Sequence, residues 1–242
     1  MSSIGFYSSA MGVFTAKDAM DITANNVANV NTNGYKALRP SFGDLMYTKR
    51  KLRNDEVDTG HGVRVDKTDL MFGVDSFSES GQPLDFAIAS EGLFAIDDAD
   101  GLLYTRDGSF YMSQTDDGNW QLVNGSGGFV LDNEGNHITI PFEEDGVTVD
   151  RNALTQMIGV YNFDNPYGLD PVGDNYYAAT LSSGQPTADP DARKLNGYLE
   201  MSSVSLSNEM VKVIEYQRGF QANVTMVQTH DELQNIINHL RQ

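Results

Sequence analysis

The chain has 242 residues, no cysteine and a net charge of −18. Disulfides, thiolate metal sites and a cysteine nucleophile are therefore excluded, and the acidic balance argues against nucleic acid or anionic lipid as partners. No run of about eighteen apolar residues occurs, so the sequence offers no candidate membrane span.

The charge is unevenly placed. Residues 1–53 carry a balance of +4, residues 54–198 one of −20, and residues 199–242 one of −2. The basic cluster Lys49, Arg50, Lys51 and Arg53 is short and has no interleaved aromatic residue, so it does not read as a phosphate-binding patch. Asp18 and Asp21 come early, and no basic segment followed by an apolar block precedes them. The sequence therefore predicts no cleaved secretory leader.

Residues 4–28 read as a helix. Phe6, Ala10, Val13, Ala16, Met20, Ala24 and Val27 recur at helical spacing, and Tyr7, Met11 and Phe14 widen the stripe over its first half. The many small residues on this face let a second helix axis come close. The helix should stop near Asn29, in a run holding Asn25, Asn26, Asn29, Asn31 and Asn33 and ending in Gly34, because Asn and Gly favour turn and left-handed conformations. Amide side chains both donate and accept, so they can satisfy backbone groups where segments from different directions meet.

Residues 34–80 are polar and read as an extended linker with short strand segments such as Gly62-Val63-Arg64-Val65. From residue 81 to 199 the pattern is a central antiparallel all-β domain with a return linker. Candidate strands are 93–96, 102–105, 109–112, 120–123, 128–131, 137–140 and 156–163, with Asp-Gly, Asn-Gly and Glu-Gly turns between them. Pro186 and Pro190 interrupt regular structure in the return segment 182–196.

The last stretch, 206–240, reads as a long helix. Leu206, Met210, Val213, Phe220, Val224, Val227, Leu233, Ile237 and Leu240 recur with a period near 3.5, which is a narrow seam of the coiled-coil kind. Gln217 interrupts it, and His230 lies on it. The fold class is thus α+β: helical ends at 1–33 and 200–242 paired in a coiled-coil-like manner around a β domain.

Little in the sequence suggests catalysis. The acidic turns Asp97–Gly101, Asp116–Asn119 and Asp132–Asn136 lack the spacing of a calcium loop and read as hairpin turns. His61, His137, His230 and His239 form no zinc-binding helix pattern, and no phosphate loop or nucleophile elbow is present. No catalytic, cofactor-binding or metal-binding residue is expected. Carboxylates paired across space, as in a glycosidase, would leave no sequence spacing to find, so a secreted adhesin or carbohydrate-active enzyme with helical ends is the alternative class.

The Asn-rich run, followed by Arg39, Phe42, Asp44, Leu45 and Tyr47, resembles the N-terminal signature of the bacterial flagellar rod and hook protein family. The likeness continues in order through Leu84 to Phe94, Tyr104 to Phe110, Asn165 to Leu169, Gly173 to Tyr177, Ser182 to Gly184 and Gly197 to Val204, and then Glu209, Met210, Ile214, Gln217, Arg218 and Phe220. Ser90, Leu93 and Ser203 depart from the family's usual residues.

The resemblance implies a structural subunit of the basal-body rod, distal type, with the proximal rod and hook proteins as rivals. It also implies a self-assembling helical tube that carries torque. The other partners would be rod and hook subunits and the flagellar export apparatus, and the site would be extracytoplasmic. No cofactor, nucleic acid or membrane insertion is implied. The expected assembly interface is Phe6, Ala10, Met11, Val13, Phe14, Met20, Asn25, Asn26, Val27, Asn29, Asn31 and Gly34 at one end. At the other it is Leu206, Met210, Val213, Gln217, Arg218, Phe220, Val224, Val227, His230, Leu233, Ile237 and Leu240.

Overall fold

The structure is a computed structural model that describes residues 4–52, 55–98, 101–115, 118–142 and 148–240. The chain divides into two compact units. One holds the two chain ends and residues 38–70; the other holds residues 29–37 and 71–203.

In the first unit, α1 (Ile4–Ala28) is followed by β1 (Leu38–Asp44), β2 (Tyr47–Leu52), β3 (Asp55–Gly60) and β4 (Val63–Leu70). β1 pairs antiparallel with β4, from Leu38 opposite Leu70 to Asp44 opposite Val63, and β2 pairs with β3. The segment expected to be an extended linker with short strands, such as 62–65, forms two nested ladders, the β2-β3 hairpin lying between β1 and β4. Along β4 only Leu70 is fully buried, so the apolar signal there is weak. The ladder packs on α1, where the Thr15 hydroxyl donates 2.8 Å to the Val63 carbonyl.

In the second unit the order is β5 (Phe77–Glu79), β6 (Phe86–Ile88), β7 (Leu93–Asp98), β8 (Gly101–Thr105), β9 (Tyr111–Gln114), β10 (Trp120–Val123), β11 (Phe129–Val130), α2 (Arg151–Met157), β12 (Val160–Asn162), β13 (Asp170–Gly173), β14 (Tyr176–Ala178), β15 (Thr187–Ala188), β16 (Lys194–Asn196) and β17 (Tyr198–Glu200). A nine-stranded antiparallel sheet runs β13-β14-β8-β7-β11-β10-β9, with β12 bridging β7 and β15. The small ladders β16-β6 and β17-β5 tie the return segment to the start of the domain.

The core of this unit is Phe86, Ile88, Phe94, Ile96, Phe110, Leu122, Val130, Leu154 and Ile158 with their neighbours. Phe94 and Phe110 meet edge to face at 5.2 Å. The strand expected over 156–163 begins instead as helix α2. Asp150 caps it by accepting from the amides of Asn152 and Ala153, and Leu154 and Ile158, four apart, bury its one apolar side. Residues 137–140 make only isolated bridges.

The last element, α3 (Leu206–Leu240), belongs to the first unit and is 35 residues long, about 50 Å. It lies antiparallel to α1. Gly5 sits against His230, Gly12 against Asn223, and the Asn26 amide donates to Glu209. Seven residues separate Gly5 from Gly12 and His230 from Asn223; fourteen separate Gly12 from Asn26 and Asn223 from Glu209. The contacts thus advance in whole heptads along both helices.

Candidate assembly interface

On α1 the buried residues are not those of the apolar stripe, whereas His230 of the predicted α3 seam does face α1. The buried positions of α1 are Ser9, Gly12, Thr15, Ala19, Thr23 and Asn26. Small residues are required there. A Cβ placed on Gly12 would fall 2.7 Å from the Asn223 amide, and one on Gly5 2.7 Å from His230 Nε2. Ser9 and Thr23 fold their hydroxyls back onto the carbonyls of Gly5 and Ala19, so they bury without an unmet donor.

The expected α1 residues flank this seam. Phe6, Ala10, Met11, Val13, Met20 and Val27 are half-buried, and Phe14 and Tyr7 are 60 % and 57 % exposed. On α3, Val213, Phe220, Val224, Val227 and His230 are half-buried on the side of α1. Leu206, Met210, Gln217, Arg218, Leu233, Ile237 and Leu240 are exposed. Gln217 is therefore not the mid-seam residue. Tyr216 is half-buried one position earlier, two heptads from His230, and its ring meets Phe42 at 6.2 Å.

Two of the Asn residues make identified hydrogen bonds at the end of α1. Asn26 is buried; its Nδ2 donates 2.8 Å to the Leu38 carbonyl and 3.3 Å to Glu209, while its Oδ1 accepts from the Leu38 amide at 2.9 Å. One side chain thereby locks the end of α1 to the start of β1 and the start of α3. Asn29 accepts from the Thr32 hydroxyl and closes the turn. Asn25 and Asn31 are exposed.

Gly34 is fixed by its surroundings. Its φ is +64°, its amide donates 2.8 Å to the Glu200 carbonyl, and an added Cβ would lie 2.5 Å from the Arg106 backbone. Beside it lies a charge cluster that the sequence reading missed. Lys36, fully buried, reaches Glu200 at 2.7 Å and Asp75 at 2.8 Å and also donates to the Gly73 carbonyl. Arg106 reaches the other oxygen of Glu200 at 3.2 Å and donates to the carbonyls of Ile88 and Ser90. Two cations and two carboxylates balance, and each buried charge has an ion-pair partner, although Arg106 Nε finds no hydrogen-bond acceptor among the described residues.

Around this cluster the segments leading to the other unit are stitched together. The Met71 amide donates to the Ala37 carbonyl, the Ala37 amide to the Ser203 hydroxyl, and the Ser203 amide to the Tyr35 carbonyl. No single motif marked this. The ion-pair partners lie 39 to 164 residues apart, and an isolated lysine after Asn-Gly-Tyr looks like an ordinary surface residue.

The acidic turns show hairpin chemistry where they are described. Asp132 Oδ1 accepts from the amides of Glu134 and Asn136, and despite partial burial these bonds hold its carboxyl below the usual range. Parts of the turns at 97–101 and 116–119 lie outside the described residues. Among the described residues no group of three or more His, Asp or Glu is placed to hold a metal, and no helix is long and apolar enough to cross a membrane.

Comparison with known proteins decides among these possibilities. Three family models match, in chain order: flagella basal body rod protein over residues 7–36, flagellar hook protein FlgE/F/G D1 domain over 87–154, and flagellar basal body rod FlgEFG protein C-terminal over 195–240. The flagellar basal-body rod protein FlgG of Bacillus subtilis is 34 % identical, with 96 % of this chain and 97 % of that protein aligned. The chain belongs to the flagellar basal-body rod proteins.

FlgG of Borreliella burgdorferi is similar at 33 % identity over 97 % of each chain, and FlgG of Buchnera aphidicola subsp. Schizaphis graminum at 35 % over 88 % of this chain and 90 % of that one. The rod-protein matches fall on the parts described above. The first covers α1 and the Asn-rich turn, the second most of the sheet, and the third the return segment and α3. Lys36, Arg106 and Glu200 lie one in each matched segment, so the buried cluster brings the three matched segments together at one place.

Proposed function

We propose that this rod protein is a structural subunit of the distal rod, polymerising through its terminal helices into the helical tube that carries torque from motor to hook. The observation that supports this most is the uncovered apolar surface of the helix pair. Tyr7 and Phe14 on α1, and Leu206, Met210, Val211, Ile214, Met226, Leu233, Ile236, Ile237 and Leu240 on α3, are all at least 45 % exposed. Each such side chain gains about 1.5–3 kcal/mol on burial, so leaving them in water is a cost that neighbouring copies remove.

The β unit serves a different role in this reading. It has its own core and a −17 balance across residues 29–37 and 71–203, which favours its staying folded and soluble independently of the helices. The subunit acts by geometry and self-association, with no reaction assigned to it. Its neighbours are copies of itself, the rod segments below and the hook above. It reaches an extracytoplasmic site through the flagellar export apparatus.

Limited proteolysis combined with sedimentation over a hundredfold range of concentration tests the proposal. At the dilute end the chain should sediment as a monomer cut before about residue 30 and after about residue 204, while the β unit resists. At the concentrated end both tails should become resistant as larger species form. Tails fully protected in a dilute monomer would overturn it.

A further inference from the structure

α3 runs past the described part of its partner. α1 is described from Ile4, and with Gly5 opposite His230 the residues from Asp231 to Leu240 extend beyond the Gly5 register; all ten are exposed. This overhang is about 15 Å long. Its apolar residues Leu233, Ile236, Ile237 and Leu240 recur at steps of three and four, and Ile237 lies one heptad beyond His230. The stripe therefore continues the face of α3 that packs on α1, and is 54 % to 82 % exposed.

A second stripe lies at the opposite end of the same helix. Leu206, Met210 and Ile214, four apart, are exposed along a flank of α3. The two stripes match in length, about 12 Å and about 10 Å. They also match in charge. Residues 233–240 contain no Asp, Glu, Lys or Arg, and within 206–214 the only charges, Glu209 and Lys212, are paired with each other. On a chain of −18 these are surfaces that two copies can bring together without like-charge repulsion. One copy cannot join them, because nineteen residues of helix, about 28 Å, hold Ile214 and Leu233 apart.

We infer that the C-terminal overhang of one subunit docks on the Leu206, Met210 and Ile214 flank of a second copy. The two surfaces are different, so the contact is head-to-tail. It need not close on itself, and repetition generates a filament. The inference rests on the polymer reading above and adds to it which faces meet.

The absence of native cysteine makes the test direct. A Leu233→Cys, Met210→Cys double variant is oxidised at a concentration where sedimentation shows polymers. The expected result is a ladder of disulfide-linked multimers on denaturing gels, with only dimers when the two single variants are mixed. A Leu233→Cys, Phe14→Cys pair serves as the competing geometry. In parallel, Ile237→Asp should raise the concentration needed for polymers at least tenfold while the melting of the β unit is unchanged. Polymers that form without the 233–210 ladder, or with a ladder from 233–14 instead, overturn the inference and leave the polymer reading standing. Absence of polymers from the unmodified chain at every concentration overturns both.

Discussion

Lys36 Nζ lies 2.7 Å from Glu200 Oε1, and neither side chain reaches solvent. The pair joins the segment that leaves α1 to the segment that leads into α3, 164 residues apart in sequence. Arg106 brings the sheet to the same carboxylate.

Replacing Glu200 by Gln should therefore be severe. Arg106 would lose its only carboxylate among the described residues, and Lys36 would keep only the partly exposed Asp75. Removing one partner of a buried pair costs about 3–5 kcal/mol. The urea midpoint of the β unit is the measurement, and the expected outcome is a large fall with the denaturant slope little changed.

Gly34→Ala should act on the same spot by a different route. A side chain there meets a φ of +64° and backbone atoms of Arg106 and Asp107 at 2.5–2.7 Å, none of which can swing aside. Left-handed strain and overpacking each cost about 1–3 kcal/mol. Thermal melting followed by near-ultraviolet circular dichroism should show a clear drop, with the helical signal of α1 and α3 less affected.

Gly12→Leu should separate the helices and spare the sheet. The added carbons would occupy the space of the Asn223 side chain on the heptad line of the seam. The prediction is loss of concentration-dependent protection at both chain ends in the proteolysis experiment. Melting of the β unit should shift by less than about 0.5 kcal/mol, as for distant independent sites.

Tyr104 offers a test by pH. Its hydroxyl is buried with no hydrogen-bond partner among the described residues, and burial, aided by neighbouring Tyr161, pushes its pKa up to about 12. The unfolded phenol ionises near 10, so the folded state favours the neutral form. Stability is then fully present below about pH 10 and falls as pH rises from there to about 12. Tyr104→Phe should remove that part of the alkaline decline. It should also stabilise the protein at pH 7 by about 1 kcal/mol, because an unmet buried hydroxyl disappears. Urea titrations at pH 7, 10 and 11.5 would show both effects.

What was legible in the sequence follows from the kind of signal each element carries. α1, α3 and most central strands announce themselves by apolar period or by Gly turns, and the structure has them. The β1 and β4 strands carry a weaker signal, since their side chains are mostly half-buried or exposed, and only the 62–65 segment of β4 was legible. The seam itself was hidden because hydrophobic periodicity gives no weight to Gly, Ser, Thr or Asn. Yet Gly5, Gly12, Ala19 and Asn26 stand seven apart, and so do Glu209, Tyr216, Asn223 and His230. Matching those two small-residue and polar heptads would have found the antiparallel register. The charge cluster had no such trace, because it is assembled from loop and strand segments far apart in sequence.

The most direct measurement is a helical reconstruction from electron microscopy of basal bodies isolated from the bacterium that makes this chain. The account predicts repeated copies along the upper rod, with α1 and α3 of each copy packed against helices of others and the α3 overhang covered. Basal bodies whose rod lacks this chain, or copies whose terminal helices touch only solvent, would contradict it.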